Sequence, residues 1–474
     1  MFKSVYDLIH RHLKLSVFFI IFGILLFLNI IKPLSNAYYY DSDQYWKLSE
    51  EFVRSGSFSL LNYGSVLRGY LYPLIIYVIR KLASLISFSD IITFQLIMSL
   101  VHAIFLAILV PDLIRLLFNK KVKIYQTIVF GSLILFFWRG SFFYPLTDIL
   151  AFIFLISGIY IVQKFCHKTT WIGLFPGLLW GGAAIIRPSY LITLPFLLIW
   201  AIYCYHLQIN YFTKIILYKL AMIIVGLLIV FSPQLLINTT HFGVFSPFVQ
   251  TQVDSTNLFL QQLNWGIVIQ KYETSIDPDY PSPQVYFLDR QGESILIRSS
   301  VSPDTPISLG KYVELLFKYP LDFMSIYLRH IFNGLDIVYN TVYVNNVYDN
   351  ALHMRLANYS LWFLVVIYIQ KYFPNIKARK LLNSQLLLPI IIAMPSLVSI
   401  PTAIEVRFMI PISFMAYGLA AFWILPEFFE ISLVEKKNMV FKYFVEYIIF
   451  VAFCFLLSSN TYMGLEFGSY VLGL

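Results

Sequence analysis

Runs of about twenty apolar residues recur along this chain, and no other feature limits its fold so strongly. A helix crossing a bilayer needs roughly 20 mainly apolar residues, with about 17 as a working minimum that protein-surrounded helices can breach. Such runs fall at about 15–34, 92–117, 122–138, 148–163, 171–186, 188–205, 215–237, 357–372, 384–400, 406–425 and 442–458. They predict an all-α polytopic membrane protein of about eleven transmembrane helices. Composition points the same way: 59% of residues are hydrophobic and 12% charged, against about 25% charged in an ordinary soluble protein. The first run lacks a small-residue cleavage site after it, so it reads as a retained signal anchor. Cys166, Cys204 and Cys454 lie in or beside apolar runs. That placement argues against a structural disulfide or a cysteine-ligated metal.

The stretch 70–88 is also apolar but is interrupted by Arg80 and Lys81. It reads as a juxtamembrane helix that does not span. With that choice the inner segments are 1–14, 115–123, 164–168, 206–219, 371–380 and 427–442, and they hold 18 of the 34 Lys and Arg residues. The short outer connections hold only Arg139, Arg187 and Arg407. The positive-inside rule therefore puts the N-terminus in the cytoplasm and the C-terminus outside. The formal charge of +9 is then mainly a topology signal. No clustered basic face of the kind nucleic acid needs is seen.

Three regions follow. Residues 1–237 form an N-terminal transmembrane module whose first outer loop is 35–91. Residues 238–356 form a smaller extracytoplasmic domain of mixed structure, and 357–474 hold the C-terminal transmembrane helices. The end of the outer domain, 311–335, carries apolar residues at helical spacing beside charges, which predicts an interfacial helix lying on the membrane. Asn238-Thr239-Thr240 is a glycosylation sequon by pattern.

The segment Tyr40-Asp41-Ser42-Asp43-Gln44-Tyr45, just beyond the first run, is the richest in candidate chemistry. The local reading makes Asp41 a helix N-cap with Gln44 at the third helical position. Asp43 and Lys47, four apart, then form a surface pair. The functional reading makes Asp41 a general base, a carboxylate at the membrane face placed near an acceptor hydroxyl.

The layout resembles the C-type glycosyltransferase superfamily, in particular its protein O-mannosyltransferase and aminoarabinose-transferase-like branch. The likeness rests on Asp41-Ser42-Asp43-Gln44-Tyr45 after one span, then Arg68-Gly69-Tyr70-Leu71-Tyr72-Pro73-Leu74 leading into a surface helix. Leu146-Thr147-Asp148 and Glu405-Val406-Arg407-Phe408-Met409-Ile410-Pro411 are further echoes. The likeness covers about the first 240 residues, and beyond them only the late motif; the paired prolines that many such enzymes carry are missing after Arg68.

The resemblance implies transfer of a sugar from a polyprenyl-phosphate donor to an acceptor outside the cytoplasm, with Asp41 as the catalytic base. Its partners are membrane lipid, the lipid-linked sugar and a glycan, lipid or protein acceptor. The departing lipid phosphate gathers negative charge that cations must neutralise, and Arg68, Arg187, Arg407 and Arg139 are the candidates. The alternative for the last three is snorkelling to the headgroups. Asp43, Tyr45, Asp148, Glu405 and His330 are possible substrate contacts, although N-capping also accounts for Asp148. Asp41-Ser42-Asp43 formally resembles a metal-binding Asp-x-Asp, but no supporting ligands accompany it, and neither metal nor cofactor is assigned. Two rivals stay open: an envelope polysaccharide polymerase or ligase using a diphosphate-linked donor, and a lipid or polysaccharide transporter. The second would show internal repeats, which the sequence lacks.

Overall fold

The computed structural model describes the chain apart from residues 1, 55, 166–168, 210–213, 254–255, 303–305, 350, 373–383, 431–432 and 467–474. Cys166 and the basic residues Lys168, Lys377, Arg379 and Lys380 counted above lie outside the described residues. Among those described, nine helices are long and apolar enough to cross a membrane: Lys14–Ile31, Asp90–Phe118, Ile124–Phe143, Thr147–Phe165, Pro188–His206, Lys214–Phe242, Leu352–Tyr372, Val406–Phe429 and Tyr443–Tyr462. The runs expected at 171–186 and 384–400 correspond to two shorter apolar helices, Thr170–Ile186 and Leu387–Ser399. The chain is thus an integral membrane protein, mainly helical, with nine helices of full spanning length among the described residues.

Two compact units partition it. The first is Met1–Leu135, Arg139–Gln250 and Lys377–Met394, and the second is Phe136–Trp138, Thr251–Ile376 and Pro395–Leu474.

The first unit carries, in chain order, α1 (Phe2–Leu26), α2 (Tyr40–Leu48), β1 (Val53–Arg54), β2 (Ser57–Phe58), α3 (Leu71–Leu85), α4 (Asp90–Ile104), α5 (Val110–Phe118), most of α6 (Ile124–Phe143), α7 (Thr147–Phe165), α8 (Leu174–Ile186), α9 (Thr193–Ile209) and α10 (Lys214–Phe242). Small residues set its tightest packing. A Cβ on Gly177 of α8 would lie 2.0 Å from the Ile223 carbonyl oxygen of α10, and one on Gly226 of α10 would lie 2.3 Å from Leu174 O. Glycine lets two backbones approach this closely, a device membrane helices use because burial in lipid gives them little hydrophobic drive to associate.

The stretch 70–88 forms α3, whose 15 residues extend only about 22 Å, short of the roughly 30 Å hydrocarbon core. The Arg80 that interrupts it has a local role. It donates to Asp90, Glu50, the Ser49 hydroxyl and the Trp46 carbonyl, tying α3 to α2 and α4. The expected boundary at 237/238 is displaced, because α10 runs on to Phe242. Asn238 is therefore helical and fully buried, with its amide donating to the carbonyls of Ser246 and Phe248 at 2.6 and 2.7 Å. The sequon is sealed inside the fold and offers no glycan acceptor.

The second unit holds β3 (Gln252–Val253), β4 (Thr256–Asn257), α11 (Leu258–Val268), β5 (Ile269–Ser275), β6 (Gln284–Leu288), α12 (Arg290–Arg298), α13 (Leu309–Lys318), α14 (Pro320–Leu335), β7 (Tyr343–Val344) and α15 (Leu352–Tyr372). After α16 (Ser384–Ser399), which straddles the division, come α17 (Ile410–Leu419), α18 (Leu425–Glu430), α19 (Leu433–Tyr462) and β8 (Leu465–Glu466). Four strands form one sheet in the order β7-β5-β6-β8, with β5 antiparallel to β6 and parallel to β7. Helices α11 to α14 pack on it through Leu263, Ile295, Leu315, Phe323 and Ile326. The single interfacial helix expected over 311–335 is two helices. Pro320 starts the second, since it cannot donate a backbone bond to the turn before it. Their inner stripe is buried in the unit core, and their outer stripe, Val313, Phe317, Leu321, Met324 and Leu328, is exposed.

Candidate functional site

Helix α2 begins one residue before Asp41, and its capping differs from the sequence expectation. Ser42, not Asp41, closes the N-terminus: its hydroxyl oxygen accepts from the Tyr39 N–H at 3.0 Å and its own proton goes to the Tyr39 carbonyl at 2.6 Å. Asp41 stands at the second position of the helix rather than at its N-cap. Tyr40 sits at φ +41°, a left-handed backbone that costs a bulky residue free energy and that clusters at functional sites. Asp43 pairs with Lys47 at 2.6 Å across one helical turn, as the spacing requires.

The carboxylate of Asp41 accepts from Arg68 Nη2 at 2.6 Å. Arg68 also donates to Gln44 Oε1 at 3.4 Å and lies over the Tyr45 ring at 5.2 Å, while that ring meets Tyr72 edge-on at 5.2 Å. The loop bearing Arg68 is held from below. Tyr63 donates to the carbonyls of Arg68 and Gly69, Tyr70 donates to Val230 O, and a Cβ on Gly69 would strike Ile185 O at 2.1 Å. Burial pushes the hydroxyls of Tyr63 and Tyr70 well above the usual phenol range, so both stay protonated donors. Beside Asp41 runs an open groove of about 540 Å³ lined by Tyr40, Asp41, Asp43, Gln44, Lys47, Leu48 and Glu51.

The Gly69–Ile185 contact brings this loop against the end of α8, two residues before Arg187. Arg187 ion-pairs with Asp148 near the start of α7. Asp148 is buried, so it serves as the counter-charge of Arg187 rather than as an N-cap. Tyr39 packs near Tyr144, with ring centroids 6.4 Å apart, so the α2 start and the Tyr144–Asp148 turn adjoin as well. The first unit thus gathers Asp41, Arg68, Asp148 and Arg187 through three neighbouring turns.

The other sequence candidates fall elsewhere. Arg139, expected with the phosphate-binding arginines, donates to the carbonyls of Leu28 and Lys32. It closes the C-terminal end of the first span, where unsatisfied carbonyls attract a cation. Arg407 belongs to the second unit and grips Glu405 with two bonds, at 2.6 and 3.2 Å. His330, expected as a possible acceptor contact, is fully buried. Its ring nitrogens face the carbonyls of Ile400 and Ile269 at 2.5 and 3.1 Å, so it ties α14 to the sheet. Burial pulls its imidazole below the usual range. His102 is buried against Phe142, its Nδ1 without a hydrogen-bond partner among the described residues. The void beside it, about 10 Å³, is too small for a substrate group.

A second charged cluster escaped the sequence reading. Lys271 and Glu273 on β5 lie 3.4 Å apart with side chains almost or largely buried. Lys271 also donates to the Asp336 backbone carbonyl at 3.3 Å, and the Asp336 carboxylate accepts from Tyr359 at 2.8 Å and Ser458 at 2.7 Å. Burial raises the Glu273 carboxyl above its usual range. A strand reading Ile-Gln-Lys-Tyr-Glu looks half-solvated, but β5 carries an irregularity between Ile269 and Lys271. Such bulges re-aim side chains, and here Gln270 and Lys271 are both buried. No group of three His, Cys, Asp or Glu side chains fit to hold a metal occurs among the described residues.

Nine apolar helices of spanning length among the described residues define the class, an integral membrane protein, with a charged groove in the segment that follows the first of them. Comparison with protein-family models, curated proteins and solved structures finds no match to this chain.

Proposed function

We propose that this protein is a glycosyltransferase of the C-type, moving a sugar from a polyprenyl-phosphate donor to an acceptor on the non-cytoplasmic face of a bacterial plasma membrane. The observation that carries the reading is Asp41: in the first turn of α2, held by Arg68 at 2.6 Å, and bordering an open groove of about 540 Å³. A volume of that size suits a sugar-sized ligand. The order of the motifs around Asp41 and Arg68, and the asymmetry of basic residues along the chain, support the same reading.

In this reading Asp41 takes the proton of the acceptor hydroxyl as that oxygen attacks the anomeric carbon, and the bond to the lipid phosphate breaks. Arg68 orients Asp41 before attack. Arg187, with Asp148 as its counter-charge, neutralises the phosphate as it leaves. An incoming phosphate competes with each carboxylate for a guanidinium already paired, so these arginines exchange partners during turnover. No step here is routed through a metal.

The test is transfer from purified polyprenyl-phosphate sugar. Asp41→Asn keeps the shape and removes the base, so turnover falls by about 10²–10⁴-fold while donor binding is retained. Asp43→Asn stays within a few-fold of wild type. Equal losses in both variants, or full activity in Asp41→Asn, would overturn the assignment.

A further inference from the structure

Among the described residues, arginines that are substantially shielded from solvent nearly all grip a carboxylate. Arg68 holds Asp41, Arg80 holds Glu50 and Asp90, Arg187 holds Asp148, Arg329 holds Asp289 and Arg407 holds Glu405. Arg355, in the first turns of α15, departs from this pattern. It is only 7% exposed, its Nε is buried without a hydrogen-bond partner among the described residues, and its guanidinium lies over the Tyr462 ring at 4.6 Å.

That contact does not balance the cost of burial. A cation–π contact offsets at most the loss of one buried charged donor left unsatisfied, and a guanidinium has five donors. The neighbouring carboxylates are occupied. Both Asp336 oxygens accept hydroxyls from Tyr359 and Ser458, and Glu273 faces Lys271. Lys271 itself has donor capacity to spare, because its two contacts are long, at 3.3 and 3.4 Å, and it lies within electrostatic reach of both Arg355 and Tyr462. The turn entering α15 is strained as well: Ala351 stands at φ +37°, a conformation an alanine adopts only under constraint.

We propose that Arg355, with Lys271 beside it, forms an anion site in the second unit that takes a phosphate group. A planar fork, an ammonium and neighbouring phenols are the donor set that fits phosphate oxygens. Arg355 lies three residues into the spanning helix Leu352–Tyr372, the depth at which basic pockets between membrane helices meet lipid headgroups. The ligand is a terminal phosphate group, reached either as the monoester headgroup of a membrane lipid or as free phosphate. This inference stands apart from the glycosyl-transfer reading: it concerns residues of the second unit and is read by binding alone.

The experiment uses the full chain in phosphatidylcholine nanodiscs, titrated with phosphatidic acid and, separately, with inorganic phosphate, with bound ligand counted by native mass spectrometry. Wild type retains phosphatidic acid over phosphatidylcholine, and Arg355→Gln weakens that retention by about thirtyfold or more, as expected when one partner of a buried charged contact is removed. Arg355→Lys recovers part of it, since charge is kept and the fork lost, and this variant carries the test if Arg355→Gln does not fold. Displacement by inorganic phosphate supports a site that reads the phosphate group alone, and resistance to it supports a lipid site. Equal retention in wild type and Arg355→Gln, or no preference for phosphatidic acid in wild type, would overturn the proposal and leave the Tyr462 contact as the whole role of Arg355.

Discussion

The charged clusters of the two units solve the same problem in opposite ways. In the first unit, Asp41 and Arg68 meet at the edge of an open groove with about a quarter of each side chain in solvent. Water screens the pair, and either partner can let go at modest cost. In the second unit, Lys271, Glu273 and Asp336 are wrapped by β5, α14, α15 and α19, and the Asp336 carbonyl and the hydroxyls of Tyr359 and Ser458 are committed to bonds there. There the dielectric is low and desolvation dominates, so a missing partner is expensive. Exposed pairs are suited to exchanging partners with a substrate, and buried clusters to holding a fold or a tightly bound ion.

The sharpest way to break this comparison is Asp336→Ala. It leaves the hydroxyls of Tyr359 and Ser458 facing a void and removes a negative charge near Lys271, and we expect a loss of about 3–5 kcal/mol, read as a large fall in thermal unfolding temperature in detergent. Asp41→Asn should change the same measurement by less than about 1 kcal/mol. A reversed order would show that the groove cluster, not the buried one, holds the fold.

Arg187 lies between these extremes, since its partner Asp148 is buried and its own side chain nearly so. Arg187→Ala strands that carboxylate and should cost about 2–5 kcal/mol, visible both in stability and as weaker binding of polyprenyl phosphate. Lysine should restore stability more fully than lipid binding, because stability needs a nearby cation while phosphate recognition needs the fork. Equal rescue of both would remove Arg187 from the donor site. Lys47→Ala marks the exposed limit. Its partner Asp43 is solvated, and loss of the pair should shift stability by less than about 0.5 kcal/mol.

The smallest expected effect is a pH dependence. Burial pulls the His330 imidazole below its usual range, so between its folded value and the ordinary value near 6.5 the unfolded chain binds more protons than the folded one. Stability then rises with pH across that window and falls on acidification. Replacing His330 with Gln should flatten the part of the melting profile just below the ordinary imidazole value that this group contributes. An unchanged slope would show that the two carbonyls facing its ring nitrogens accept a charged imidazole at no cost.

Much of this architecture was legible before any coordinates. Hydropathy placed the long helices within a few residues, because a span must satisfy its own backbone and present apolar side chains throughout. The i,i+4 spacing of Asp43 and Lys47 and the helical stripe over 311–335 were legible for the same reason: both depend on near neighbours in sequence. The Asp41 motif stood out because acidic residues directly after an apolar run are uncommon.

What remained hidden depends on distance along the chain. Asp41 and Arg68 are separated by 27 positions, and Asp336 and Ser458 by 122. Nothing local says that Arg187 would find Asp148, that Arg139 would spend its charge on the end of the first span, or that His330 would be sealed between two carbonyls. A bulge in β5 turns Lys271 inward, and burial sets the Arg355 guanidinium over the Tyr462 ring. Local periodicity determined which segments are helices and which face is apolar. Only tertiary packing decided which charges far apart in sequence are paired, because the free energy of a charge depends on whether water or a counter-charge surrounds it once distant segments have met.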